Sequence, residues 1–395
     1  MPHLLRDAAD LETLSESPLE RDGESPLCLP VQTALNGICP YFTMFPLSFP
    51  LSVLRSNSTA GEMVLDPFCG RGTTNFAARL LGMKTVGIDA NPVATAIACA
   101  KMVTPPPKDI MRALRDVLDE VPEPSDIPAD EFWGLAFESS VLHTVSRLRE
   151  GLIRECGDPA RQALRGILMG ALHGPRTKRE PSYFSNQCTR TFAPKPSYAT
   201  RFWRERDLLP PKVDVARVVQ IRAERYYATR LPTVGGAIIH GDSRSEQTFK
   251  QTPLAHGADW IITSPPYYGM TTYTADQWLR GWFVGGIPAV DYSRAGQLSH
   301  GSPDAYVADL SEVWQNVKGV ASPTATLVVR FGAIGSRRAG STELVSESLR
   351  ISGWRINRVQ PAGNASSGRR QVSYYGRAGG TAREEIDIWA TLDAA

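Results

Sequence analysis

Apolar and polar positions change along the chain in a pattern that predicts strands separated by helices. Short apolar runs predict strands over Met63 to Phe68, Lys84 to Asp89 and Ala237 to His240, with helix-like segments between them. Trp260 to Ile262 predicts a further strand. Because strands that alternate with helices form parallel sheets, the sequence predicts an α/β fold.

The last third of the chain adds a helix and three strands to this prediction. Ala275 to Val284 has helical spacing, and Thr324 to Phe331 is a β-branched run that predicts a strand. Trp354 to Val359 and Glu385 to Leu392 predict an antiparallel pair. The sheet is therefore expected to be mostly parallel, with one antiparallel pair at its end.

A long segment separates the second predicted strand from the third. It runs from Thr104 to about Thr233, which is too long for a crossover loop, so it must have structure of its own. Ile110 to Leu118 and Phe132 to Leu172 have helical spacing, whereas Gly174 to Tyr227 interleaves Arg and Lys with aromatic residues. We predict a flexible acidic arm at 1–27, a main domain from 28–104 and 234–395, and an inserted subdomain at 105–233 that is largely helical.

Composition places the chain in a broad class. It has 395 residues, of which 42% are hydrophobic and 21% charged, as expected of a globular protein that can bury a large core. No apolar run approaches the roughly 20 residues that a membrane helix needs. The first residues are acidic and lack the basic flank and apolar centre of a secretion signal, so a cytoplasmic location is expected.

The cysteines and the charge distribution indicate which ligands and partners the chain can bind. The six cysteines include no C-x-x-C pair, so neither a disulfide framework nor a metal site is expected. The net charge is only +2, but residues 171–230 contain thirteen Lys or Arg and five Asp or Glu. Residues 361–383 contain four arginines and no acid. Positive charge is thus concentrated in two stretches that are candidates for nucleic-acid contact.

The segment Asp66-Pro67-Phe68-Cys69-Gly70-Arg71-Gly72-Thr73-Thr74 predicts a strand, a glycine turn and a helix. Glycines let a ligand approach the backbone, and a helix N-terminus offers N–H groups to it. Asp89 ends the next predicted strand about twenty residues later, where a carboxylate can accept hydrogen bonds from both hydroxyls of a ribose. Together these features predict a site for a charged cofactor that carries adenosine.

A second motif, Ser264-Pro265-Pro266-Tyr267, follows the strand at Trp260 to Ile262. The prolines remove N–H donors and fix the backbone, so the Pro265 carbonyl can face outward beside the Ser264 hydroxyl. Two acceptors can hold both N–H bonds of an exocyclic amine. Tyr267 offers a flat face on which an extruded base can stack.

These motifs resemble those of the S-adenosylmethionine-dependent DNA amino-methyltransferases, whose first motif is D-P-F-x-G-x-G-T. Residues 41–46 are similar to the segment of that family that closes over the methionine end of the cofactor, and His240 to Ser243 is similar to its third motif. The resemblance implies a Rossmann-like, seven-stranded sheet, S-adenosylmethionine as cofactor and DNA as partner. It covers about 41–102 and 237–392 and leaves out the insert.

The resemblance also implies roles for particular residues. The expected cofactor-binding residues are Thr43, Phe45, Asp66, Phe68, Gly70, Gly72, Thr73, Asp89, Ala90, Asp242 and Ser243. The expected catalytic residues are Ser264, Pro265, Pro266 and Tyr267. The charge pattern, and not the resemblance, gives the nucleic-acid-binding candidates of the insert and of a basic loop, which are Arg176, Lys178, Arg179, Arg190, Lys195, Arg201, Arg369 and Arg370.

Several functions remain open at this point. In the family, Ser at the first position of the second motif goes mainly with N4 of cytosine and Asp with N6 of adenine, so Ser264 favours cytosine. Adenine N6 and RNA amines are the alternatives, as is a nucleic-acid binding module with a degenerate cofactor pocket. A dehydrogenase is disfavoured because G-x-G-x-x-G is absent, and C5 methylation because no Pro-Cys pair occurs. A cognate restriction nuclease or defence partner is possible, and the insert's position differs from the family's usual recognition region.

Overall fold

The structure is a computed structural model that describes residues 33–40, 45–177, 181–254, 257–269, 273–293, 296–332, 341–364 and 384–392. The predicted acidic arm, 1–27, lies outside these residues. No helix in the described part of the chain is long and apolar enough to cross a membrane.

Seven strands form one sheet in the described residues. They are β1 (Met63–Asp66), β2 (Lys84–Asp89), β3 (Gly236–His240), β4 (Ala258–Thr263), β5 (Ala321–Gly332), β6 (Trp354–Asn364) and β7 (Glu384–Leu392). Their order across the sheet is β3-β2-β1-β4-β5-β7-β6. Only β7 runs antiparallel to its neighbours β5 and β6. This confirms the expected Rossmann-like sheet with a terminal antiparallel pair.

Helices connect the strands and cover the sheet. The described helices are α1 (Ser48–Asn57), α2 (Thr73–Leu80), α3 (Pro92–Met102), α4 (Pro107–Glu120), α5 (Glu131–Ala136), α6 (Ser139–Arg154), α7 (Pro159–Ala171), α8 (Pro196–Arg204), α9 (Val215–Tyr227), α10 (Glu246–Phe249), α11 (Tyr273–Asp276), α12 (Trp278–Phe283), α13 (Pro303–Gly319) and α14 (Ser341–Ile351). Proline occupies the first turn of α3, α4, α7, α8 and α13. Its fixed φ favours a helix start, and the missing N–H costs nothing there.

The sheet brings the ends of two distant segments together. β1 pairs in parallel with β4, with Val64 opposite Trp260 and Leu65 opposite Ile261. Both strands are almost entirely buried, as expected for central strands covered on both faces. The carboxyl end of β1 therefore lies beside that of β4, although about two hundred residues separate them. The glycine turn and the serine-proline motif both begin at this edge.

The inserted helices α4 to α9 pack on the sheet through α3. One apolar cluster contains Ile97 of α3, buried residues of every helix from α4 to α9, and Trp278 and Trp282 of α12. Trp133 of α5 contacts both of these tryptophans, at ring-centroid distances of 5.9 and 4.5 Å. The insert thus shares its core with a helix that follows the serine-proline motif. The domain division expected from the sequence stays a prediction.

Arg280 of α12 joins this core to other parts of the chain. Its side chain is fully buried and donates hydrogen bonds to the carbonyls of Met169, Pro40, Arg190 and Thr191, at 2.8 to 3.4 Å. The side-chain oxygen of Gln277 accepts a further hydrogen bond at 2.7 Å, so carbonyl and amide oxygens, rather than a carboxylate, satisfy its donors. A buried guanidinium needs such partners because its desolvation is costly.

Candidate active site

The glycine turn after β1 has a backbone that only glycine adopts easily. Gly70 and Gly72 have φ angles of 52° and 71°. A Cβ on Gly72 would lie 2.8 Å from the Cβ of Ala98, whereas a Cβ on Gly70 would meet nothing within 4 Å. Gly72 therefore permits close packing of α2 on α3, and Gly70 leaves space in front of the turn. Thr73 begins α2 and is buried.

Asp89 connects the turn to the end of β2. Its carboxylate accepts hydrogen bonds from the backbone N–H groups of Gly70 and Asn91, both at 2.8 Å. Burial raises the pKa of Asp89 above its usual value. An ionised carboxylate has about four lone-pair positions, so two remain for hydroxyl donors. The neighbouring Ala90 is half-buried, and its carbonyl lies 3.1 Å from Nε2 of His240.

A hydrogen bond joins the two motifs directly. The Thr263 hydroxyl at the end of β4 donates to Oδ1 of Asp66 at the end of β1, at 2.6 Å. The backbone N–H of Phe68 donates to the same oxygen at 3.1 Å. Burial raises the pKa of Asp66 to about 7. Its second oxygen, Oδ2, is buried without a hydrogen-bond partner in the described residues, and such an atom calls for a donor from a ligand.

The third motif lies after β3. Arg244 binds the Asp242 carboxylate and also reaches Asp309 at 2.8 Å. Burial would raise the pKa of Asp242, but the hydrogen bonds from Arg244 lower it below its usual value. The buried Ser243 hydroxyl donates to the carbonyl of Pro67, so the third motif contacts the first.

Phe68 and Phe45, two further candidates for cofactor binding, each pack against another aromatic ring. Phe68 packs edge-on against Trp314 of α13, with ring centroids 6.2 Å apart. Phe45 packs in the same manner against Phe49 of α1, at 5.3 Å. Thr43, from the segment expected to close over the cofactor, lies outside the described residues.

Among the hydrogen-bond acceptors of the serine-proline motif after β4, one is bonded within the protein and two are not. The Tyr306 hydroxyl donates to the Pro266 carbonyl at 2.6 Å, which fixes the tip on α13. Within the described part of the chain, neither the Ser264 hydroxyl nor the Pro265 carbonyl has a hydrogen-bond partner. Ser264 is half-buried. Pro265 is buried, and both of these unpartnered acceptors lie at the edge where Asp66 lies.

Tyr267 is held from three sides. Its hydroxyl donates to Oε1 of Glu385 at 3.0 Å, and its ring lies 4.9 Å from that of Phe331 at an interplanar angle of 62°. A Cβ on Gly332 would come within 3.2 Å of the ring. Tyr267 itself is half-buried. The last residues of β5 and the start of β7 thus form its support.

Sequence reasoning missed three of these contacts. Tyr306, Glu385 and His300, whose Nδ1 accepts from the N–H of Gly269 at 3.1 Å, all contact residues 264–269. They lie 31 to 118 residues away along the chain and belong to no local motif. The single signal available was the position of Glu385 at the start of a predicted strand.

The nucleic-acid candidates of the insert differ in their surroundings. The Arg176 guanidinium donates to Oδ1 of Asn186 and to the carbonyl of Leu209, so it is engaged within the protein. Lys195 lies 3.6 Å from Asp276 and 5.2 Å from the ring centroid of Tyr292.

The remaining candidates are exposed or undescribed. Arg190 and Arg201 are exposed. Lys178, Arg179, Arg369 and Arg370 lie outside the described residues. Contact of Arg190 and of Arg201, which lies on the surface of α8, with a nucleic acid stays a prediction.

Comparison with known proteins agrees with the first motif. A protein-family model described as DNA methylase matches residues 13–99, which include the glycine turn and Asp89. The type II methyltransferase M.MjaII of Methanocaldococcus jannaschii is 30% identical over 99 residues, which are 25% of this chain. The resemblance to the DNA amino-methyltransferases is confirmed. The match spans 19% of the M.MjaII chain, so the activity and substrate of a DNA amino-methyltransferase are proposals for this one.

Solved methyltransferase structures resemble the fold loosely. The rRNA methyltransferase AviRa of Streptomyces viridochromogenes has 11% identity and a TM-score of 0.33, over 88% of this chain and 86% of its own. A methyltransferase of Methanosarcina mazei has 10% identity and a TM-score of 0.32, over 89% and 99%. Neither likeness carries an argument about this protein.

The residues at this edge fit the cofactor of the DNA amino-methyltransferases, S-adenosylmethionine. The unpaired oxygen of Asp66 can accept from an ammonium group, and the carboxylate of Asp89 can accept from ribose hydroxyls. The open space before Gly70 leaves room for a ligand to approach the turn. The expected cofactor is that of the matched family.

Proposed function

We propose that this protein is a DNA methyltransferase that transfers the methyl group of S-adenosylmethionine to N4 of cytosine. The observation that carries the proposal is the hydrogen bond from Thr263 to Asp66, because it joins the cofactor motif to the serine-proline motif at one edge of the sheet. The available acceptors of Ser264 and Pro265 at the same edge support an amine as the methyl acceptor.

Methyl transfer depends mainly on the orientation of the target amine relative to the methyl group. S-adenosylmethionine supplies a methyl group on a positively charged sulfur, which is already a good leaving group. Ser264 and Pro265 would accept hydrogen bonds from the two N–H groups of the target amine and direct its lone pair at the methyl carbon. As the N–C bond forms, the C–S bond breaks, S-adenosylhomocysteine leaves, and the methylated nitrogen loses one N–H proton to solvent. Asp66 and Asp89 hold the ends of the cofactor. Well-oriented reactants can gain effective molarities of about 10⁵ to 10⁸ M, so orientation alone accounts for much of the rate.

The identity of the methylated base tests this proposal. Purified protein would be incubated with unmethylated plasmid DNA, or with RNA, and isotopically labelled S-adenosylmethionine. After digestion to nucleosides, mass spectrometry should find N4-methyl-2′-deoxycytidine from DNA. N6-methyl-2′-deoxyadenosine would favour the adenine alternative, and label in RNA alone would favour an RNA methyltransferase. A protein that binds no S-adenosylmethionine in calorimetry would instead be a binding module with a degenerate pocket.

We further propose that the basic and aromatic part of the insert contacts the DNA. On α8, Tyr198 stacks on Phe202 at 6.4 Å, and Arg206 lies 4.2 Å from the Phe202 ring. Tyr198 is 56% exposed and Tyr292, beside Lys195, is 71% exposed. Exposed aromatic rings with adjacent cations suit both phosphates and unpaired bases.

The insert contacts helices that follow the serine-proline motif in the sequence. Lys195, at the start of α8, donates to the carbonyl of Ala275 at 3.1 Å, and Trp278 donates to the carbonyl of Pro194 at 3.2 Å. Ala275 and Trp278 follow Tyr267 by 8 and 11 residues. These contacts join the start of α8 to α11 and α12.

Arg201→Ala is expected to weaken DNA binding about 3- to 10-fold and to reduce the salt slope by about one, because one phosphate contact is lost. The measurement is the dissociation constant for plasmid fragments across a salt series. Arg55→Ala, which removes an exposed arginine from α1 on another part of the surface, should leave both quantities unchanged. Equal effects of the two variants would contradict a specific surface on α8.

A further inference from the structure

We propose that Glu385 is a positioning residue that fixes the ring of Tyr267 for stacking on the target base. The inference rests on the proposed methyltransferase function and extends it to the far end of the chain. Glu385 acts through the hydrogen bond that it accepts from the Tyr267 hydroxyl at 3.0 Å.

The sheet places this carboxylate accurately. Glu385 lies on β7 opposite Gly332 of β5, so the antiparallel pairing sets its height above the sheet edge. Its exposed fraction is 3%, which leaves little freedom for the side chain. The acceptor for Tyr267 is thus part of the sheet, whereas Tyr267 itself lies on a loop.

Gly332 supplies the matching space. A Cβ at this position would lie 3.2 Å from both the Tyr267 ring and Cγ of Glu385. The ring is therefore in close contact with the backbone of β5, and Phe331 meets it edge to face. A side chain at 332 would push the ring away from its support.

A fixed ring matters because stacking depends on orientation. A tyrosine on a loop would otherwise turn about its side-chain torsions, and a bound base would have to select one orientation. Hydrogen bonds to a carboxylate are stronger than those between neutral groups, and a buried carboxylate needs a donor. A displacement of 1 Å in a reacting group can cost about 100-fold in rate, so a tilt of this ring should be visible in turnover.

The test compares Glu385→Ala with Glu385→Gln. For Glu385→Ala we expect kcat/KM for unmethylated plasmid DNA to fall about 10- to 100-fold, while the dissociation constant for S-adenosylmethionine changes less than about 2-fold. Glu385→Gln keeps an acceptor oxygen at the same place and should stay within about 3-fold of the wild type. Calorimetry with S-adenosylmethionine and steady-state methylation give the two readouts.

A double-mutant cycle with Tyr267→Phe separates the hydrogen bond from other effects. If Glu385 acts through the Tyr267 hydroxyl, the double variant Tyr267→Phe/Glu385→Ala should be no slower than the worse single variant. Gly332→Ala should lower kcat/KM for DNA as well, because its Cβ crowds both the Tyr267 ring and Cγ of Glu385. Multiplicative losses in the cycle would overturn the proposal.

Asp387→Asn is the matched structural control. Asp387 is another buried carboxylate on β7, two residues further on, but it binds Arg330 rather than Tyr267. This variant should lower the melting temperature yet leave kcat/KM for DNA, per folded molecule, near the wild-type value. If it lowers kcat/KM as much as Glu385→Ala, the effect is general weakening of the sheet and the inference is wrong.

Failure of the inference can be told from failure of the proposed function. If the wild type methylates DNA and Glu385→Ala does so equally well, only the positioning role is lost. If the wild type binds S-adenosylmethionine but methylates neither DNA nor RNA, both proposals fall.

Discussion

Replacing Ser264 with alanine is expected to lower kcat about 100-fold and to change the affinity for S-adenosylmethionine less than about 2-fold. The hydroxyl is one of two acceptors for the target amine, and it takes part in binding only when a base is present. Removing one preorganised hydrogen bond from a reacting group commonly costs about 10²- to 10³-fold in kcat. Single-turnover methylation and calorimetry with S-adenosylmethionine measure the two quantities separately.

Ser52→Ala provides the control for this experiment. Ser52 is an exposed serine of α1 whose hydroxyl bonds to the carbonyl of Phe49 within the same helix. Its removal should affect neither turnover nor cofactor affinity. Equal losses of turnover and cofactor affinity in Ser264→Ala would mean that Ser264 supports the whole site, and the assignment to the target amine would then be wrong.

Asp387→Ala is expected to lower the free energy of unfolding by about 3–5 kcal/mol, because it leaves Arg330 as an unpaired buried cation. Both nitrogen-to-oxygen distances of this bidentate pair are 2.8 Å, and the exposed fractions of the two side chains are 10% and 6%. The guanidinium also lies 3.6 Å from the ring centroid of Phe49, so it cannot leave the core easily. Urea unfolding followed by circular dichroism measures the effect.

The double variant Arg330→Met/Asp387→Ala distinguishes a lost partner from lost packing. Removing both charges takes away the unpaired cation, so the double variant should recover a large part of the stability lost in Asp387→Ala. A double variant that is less stable than Asp387→Ala would show that packing, and not the unpaired charge, dominates at this position.

The sequence was sufficient to predict the strands of the central sheet. Val64 and Leu65 belong to an apolar run that ends in Asp66, and Ile261 and Ile262 belong to one that ends in Thr263. Runs of this kind form parallel strands covered on both faces, and parallel strands end at the same edge. Period and length do not fix which strands are neighbours, so the pairing of β1 with β4, which brings Asp66 to Thr263, is visible only in the folded structure.

The ends of the later strands were harder to predict. β6 continues to Asn364, past Pro361 and Gly363, although the predicted strand ended at Val359. Proline is tolerated because β6 is the edge strand, where one N–H can be missing. The register of β6 against β7 shifts between Pro361 and Gly363. An edge position is a property of the whole sheet, and local sequence does not reveal it.

Local sequence also does not reveal the residues that hold Tyr267 and Pro266 in place. Glu385 and Tyr306 are ordinary residues of a strand and a helix, and only the folded sheet brings them to Tyr267 and Pro266. Charge counting also does not show which cations of the insert are engaged within the protein. Arg176 contributes to its positive charge, yet its guanidinium is used within the protein.

The hydrogen bonds of Arg280 determine which sequence changes the insert can accept. Four of its partners are backbone carbonyls, which every amino acid provides, so the side chains at Met169, Arg190 and Thr191 can drift without loss of the joint. A shift of the backbone at these positions would instead leave the buried guanidinium of Arg280 without hydrogen-bond acceptors. Single substitutions in the insert thus keep these acceptors. A segment grafted from another protein would have to place backbone carbonyls at the same positions around Arg280.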